Sequence, residues 1–136
     1  MLNWLRGKRK RPAPLAGAPA MRRRKTYSAS SGWVYQYHYE GSRPAGEPVE
    51  APGTEFVFHV SADRKTSFPI SVFVSEAALA PWQRARGREL TANERYAVAK
   101  LALFEAFDRR ADPAAMRQPV RVDAAQVDSI LAVLDL

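Results

Sequence analysis

From Gly32 to Glu40 the side chains alternate with period two. Trp33, Tyr35, Tyr37 and Tyr39 fall on one face, and Val34, Gln36, His38 and Glu40 on the other. β-Favouring aromatics in this pattern predict a half-buried strand. Residues 55–61 repeat the alternation, with Phe56, Phe58 and Val60 sharing a face and Val57 and His59 opposite. After the polar turn Asp63–Thr66, residues 67–74 repeat it again through Phe68, Ile70, Val72 and Val74. Pro69 has no amide hydrogen to give a ladder, so the third strand is expected at an edge or with a bulge. Short connections favour an antiparallel meander. Gly41–Gly53, rich in proline and glycine, reads as a long flexible loop.

Beyond Val74 the apolar spacing becomes helical. Ser75 is a suitable N-cap for a short helix beginning Glu76-Ala77-Ala78-Leu79, with Pro81 kinking or restarting it and Gly87 as a stop. Thr91-Ala92-Asn93-Glu94 fits a capping box, opening a helix expected to end near Arg110, ahead of Asp112-Pro113. Its apolar stripe is Tyr96, Leu103 and Phe107, flanked by Ala99, Leu101 and Phe104, with Glu94, Glu105, Asp108 and Arg109 opposite. Pro119–Val122 is a candidate short fourth strand. Asp123-Ala124-Ala125-Gln126 then opens a helix carrying Val127, Ile130, Leu131 and Leu134 at i, i+3, i+4 and i+7. The expected fold class is α+β, in the order β-β-β-α-α-(β)-α. Three helices pack on the aromatic face of a small antiparallel sheet of three strands, or four with the short one.

Charge divides the chain differently. Residues 1–25 hold nine Lys or Arg and no acid, whereas the remaining 111 residues hold 12 basic and 14 acidic side chains, a net of −2. The pI near 10.1 therefore describes the N-terminal segment. The prolines and sparse apolar residues of 12–20 argue against packing, so residues 1–26 are expected to be a disordered basic arm and 27–136 one α+β domain. Met21 is a second candidate initiator, and starting there would remove the first basic block. The Arg- and Ala-rich composition matches a GC-rich, bacterial coding sequence. No run approaches the ~18 apolar residues of a membrane span, and no secretory apolar region is evident. A cytoplasmic protein is expected, with peripheral membrane attachment as the variant.

The arm is the main candidate for binding. Arg6, Lys8, Arg9, Lys10, Arg11, Arg22, Arg23, Arg24 and Lys25 would attract a polyanion in a salt-sensitive, sequence-independent way. Either nucleic acid or an anionic membrane fits, the second with Leu2, Trp4 and Leu5 inserting at the interface. The aromatic strand could stack bases, but few cations interleave with it and no RNP-like motif accompanies it, so its ring face is expected in the core.

On the opposite sheet face, Val34, Val57 and Phe73 are candidates for contact with a protein partner or a second copy. His38 and His59 fall on that face in neighbouring strands, with Glu40 or Asp63 as the available third ligand. No fixed metal-ligand spacing accompanies them, so neither a metal nor any other cofactor is expected. With no cysteine, thiolate sites are excluded, and no catalytic motif is present. The expected function is a small non-enzymatic binding or adaptor protein, its arm on a polyanion and its sheet face on a protein. The alternative is a small enzyme with its site between the His38/His59 face and the 41–53 loop.

Overall fold

The computed structural model describes residues 13–45 and 52–136. Five strands form one sheet in sequence order: β1 (Lys25–Ser28), β2 (Val34–Pro44), β3 (Gly53–Ser61), β4 (Phe68–Ser75) and β5 (Val120–Val122). β1 to β4 are an antiparallel meander, and β5 joins β4 in parallel. The helices among the described residues are α1 (Glu76–Arg86), α2 (Ala92–Arg109) and α3 (Ala124–Val133), with a 3-10 turn at Ala115–Arg117.

The α+β class and the three helices stand as expected, while the strand count and order need correcting. The additional strand, β1, begins at Lys25, so the boundary placed after Thr26 falls inside a ladder that pairs Lys25 with Tyr37 and Ser28 with Val34. The candidate fourth strand is real and becomes β5. The long loop expected at 41–53 shrinks to the connection 45–52, because β2 continues to Pro44 and β3 starts at Gly53. A β-bulge between Tyr39 and Gly41 lets β2 continue through this glycine-marked stretch.

The local signals act as their chemistry requires. Ser75 Oγ accepts the Ala78 amide at 3.1 Å, and Gly87, at φ 68°, closes α1 in the left-handed conformation. Pro81 sits inside α1, which runs through it without restarting. Both capping boxes are complete. The Thr91 amide donates to Glu94 Oε1 at 2.8 Å and the Glu94 amide to Thr91 Oγ1 at 3.2 Å, while Asp123 Oδ1 accepts the Gln126 amide at 2.8 Å. Pro69 lies where β4 has β3 on one side only, since β5 pairs with Val72–Val74 alone. An edge position of this kind is where a strand tolerates a residue without an amide hydrogen.

All three helices contribute to the core over the aromatic face. Tyr35 stacks on Phe107 with centroids 4.4 Å apart, and Tyr27 on Phe104 at 4.4 Å. Phe58, Val60, Ile70, Val72, Leu103, Ile130 and Leu131 are buried around them. Trp33 departs from the expected ladder. It stands in the β1–β2 turn, 42% exposed, and donates Nε1 to the Ala111 carbonyl at 3.0 Å. The same turn is tied to the end of α2 by Asp108, which accepts from Tyr27 Oη at 2.8 Å and from the Ser30 amide at 2.9 Å. Sequence reasoning placed Asp108 on a solvated stripe. It is instead the carboxylate that fastens β1 and its turn to the helix layer.

Candidate functional site

The described part of the arm is built onto the sheet edge. Ala16 and Ser42 exchange both backbone hydrogen bonds at 2.8 Å. A Cβ at Gly41, whose φ is 131°, would lie 2.8 Å from the Ala16 carbonyl oxygen, so only glycine allows this approach. β1 stops pairing at Tyr37, and Ala16 takes up the edge at Ser42. Residues 17–24 bow out between these two points.

A cleft of about 700 Å³ opens under that bow. Its rings are Tyr37, Tyr39, Phe56 and Tyr96, its outer wall carries Met21, Arg23 and Lys25, and Ala92 and Asn93 bring in the first turn of α2. Arg95 completes the cations, held by Glu76 Oε2 at 2.6 Å and by the Leu90 carbonyl at 3.2 Å. No carboxylate lines the cleft among the described residues. Positive charge is concentrated beside it. The Lys100 pKa is held below its ordinary value, first by burial and then by the charge of Lys25.

A second cluster occupies the face that no helix among the described residues covers. His38 and His59 are direct cross-strand partners, their rings 5.3 Å apart and 25° from parallel. Glu40 Oε1 meets His38 Nε2 at 2.5 Å, and Arg22 reaches Glu40 Oε2 at 3.4 Å. Further along, Glu55 takes two hydrogen bonds from Arg43, at 2.9 and 3.3 Å, and one from Ser71 Oγ at 2.5 Å. Burial opposes the Glu55 charge, but these bonds and the guanidinium outweigh it and hold the carboxyl below its usual range.

The remaining sequence candidates are scattered. Arg6, Lys8, Arg9, Lys10, Arg11, Leu2, Trp4 and Leu5 lie outside the described residues. Arg24 is exposed next to β1. Val34 is exposed, Val57 is only 5% exposed, and Phe73 lies under the Arg121 guanidinium at 4.9 Å. Asp63 takes no part in the histidine cluster. It accepts the Lys65 and Thr66 amides at 2.8 Å each, which holds its pKa well below the ordinary value. The cleft was not visible in the chain, because it depends on Arg95 and Tyr96 meeting a segment about seventy residues earlier. No helix among the described residues is long and apolar enough to cross a membrane. Comparison with protein-family models, with curated proteins and with solved structures finds no match.

Proposed function

We propose that this protein is a non-enzymatic binding module that takes an anionic ligand with an apolar body into the cleft between residues 17–25 and the first turn of α2. One observation carries the reading: aromatic rings enclosed by Arg23, Lys25 and Arg95, with no acidic side chain among the described lining residues. The volume of about 700 Å³ suits a small organic ligand. The N-terminal end of α2, where Thr91 caps the Glu94 amide but Ala92 and Asn93 line the cleft, adds a dipole attraction for negative charge. The basic segment then serves as the cationic wall of a pocket as well as a general lure for polyanions.

The test uses anilinonaphthalene sulfonate and the uncharged phenylnaphthylamine, which share an apolar body and differ in charge. The sulfonate should bind one per chain, more weakly as salt rises. Replacing Arg23 and Lys25 together by Ala should weaken it about tenfold, the effect of two partly screened charge contacts. The uncharged probe should bind both forms alike. Equal sulfonate binding by both forms, or no binding at all, would end the reading.

A further inference from the structure

We propose that His38, His59 and Glu40 form a binding site for one divalent transition-metal ion of the zinc class on the open face of the sheet. The chain has two histidines and no cysteine, and the fold sets both imidazoles directly opposite each other on β2 and β3. Glu40, next to the β-bulge, adds a carboxylate whose oxygen already meets His38 Nε2. One ligand atom from each of the three residues lies within 4.8 Å of the others. Around a tetrahedral ion with bonds of about 2 Å, donors stand ~3.3 Å apart. Side-chain rotation covers that difference, because the backbone positions are set by the paired strands.

The surroundings also suit an ion. Two neutral imidazoles and one carboxylate leave a fourth position for water, the donor set found in zinc sites that keep an open coordination place. His38 and Glu40 side chains are 19% and 16% exposed, so the ion can enter from solvent. Metal-bound imidazoles usually give their second ring N–H to an acceptor. Gln36, one pair further along the same face and opposite Ser61, keeps its Oε1 buried with no hydrogen-bond partner. Arg22 stands on the other Glu40 oxygen, where it can fix the orientation of that carboxylate.

The experiment is a calorimetric titration of the tag-free full chain with Zn²⁺, together with Co²⁺ titration followed by visible absorption. One equivalent should bind, and Co²⁺ should develop the intense bands of a low-coordinate site. His59→Asn and Glu40→Gln should each weaken Zn²⁺ by more than the roughly 10–100-fold that losing an outer-shell partner costs. Both variants keep side-chain size close to the original on a helix-free face, and circular dichroism verifies their fold. Absence of Zn²⁺ binding by the parent chain overturns the proposal, and so does binding that survives His59→Asn. Unchanged affinity in Glu40→Gln removes the carboxylate and overturns the three-ligand assignment.

Discussion

The two faces of this sheet are drawn from the same residues in alternation, yet they serve opposite ends. One face presents Tyr35, Tyr37, Phe58, Val60 and Val72, all buried beneath the helices. The other presents Gln36, the His38 and His59 pair in ring contact, and Glu55, which is hydrogen-bonded to Ser71 and ion-paired with Arg43. A period-two strand can separate stability from chemistry at one-residue resolution, because neighbouring side chains point in opposite directions. The first face supplies the area removed from water. The second holds polar groups whose positions are set by a ladder that they do not themselves maintain.

Adjacent positions on β3 offer the sharpest test of that separation. Phe58 and Val57 are both buried, the first under α2 and the second on the helix-free face. Phe58→Ala should cost about 3–5 kcal/mol, since it empties a closed core site. Val57→Ala removes two methyl groups and should cost about 1.5 kcal/mol. Urea unfolding of the two variants measures both. Equal losses would mean that the Val57 site is as rigidly closed as the helix-covered core and that the two faces do not differ in what they contribute to stability.

The faces themselves were legible in the chain, because alternation from Tyr35 to Val74 survives translation into structure almost residue by residue. So were the caps at Ser75, Thr91 and Asp123, where a side chain bonds an amide three residues away. Distant partners were the part that stayed hidden. β1 has four residues and begins in a basic run, too short for periodicity to distinguish it from a tail. The bulge at Glu40 has only a glycine as its mark, and that glycine reads equally well as the start of a loop. His38 and His59 could be assigned to one face, but their direct pairing depends on the β2–β3 register, which the connection 45–52 does not announce. Asp108 looked solvated because its donors, Tyr27 and Ser30, come from about eighty residues earlier.

Asp108 also allows the helix-covered side to be probed by pH. Burial opposes its charge, but hydrogen bonds from Ser30 and Tyr27 prevail and its folded pKa lies below the ordinary value. Its contribution is therefore complete above the usual carboxylate range and is lost as pH falls through the folded value. Tyr27 shows the reverse, its pKa pushed up to about 12 by burial, by its hydrogen bond to Asp108 and by that charge. Stability from the hydroxyl is present below the ordinary tyrosine pKa of about 10 and disappears as pH rises through the folded value. Asp108→Asn should cost about 1–2 kcal/mol at pH 7 and flatten the acid limb of a stability–pH curve. An acid limb identical to that of the parent chain would show that the turn is not held by this carboxylate.

The smallest expected effect lies at the edge where the two faces meet. Removing residues 1–20 deletes two exposed backbone hydrogen bonds between Ala16 and Ser42 and should cost about 1 kcal/mol. That loss alone would not show whether the arm rests on the edge as described, because a truncated tail alters the unfolded chain as well. Gly41→Ala provides the missing control. In the full chain the new methyl meets both a left-handed backbone, at φ 131°, and the Ala16 carbonyl oxygen at 2.8 Å. In the truncated chain only the backbone strain remains. The substitution should therefore be more damaging in the full chain than in the short one, and the difference between the two losses isolates the arm contact. Equal losses in both backgrounds would place the arm away from β2 in solution, taking with it the outer wall of the cleft and the position of Arg22 beside Glu40.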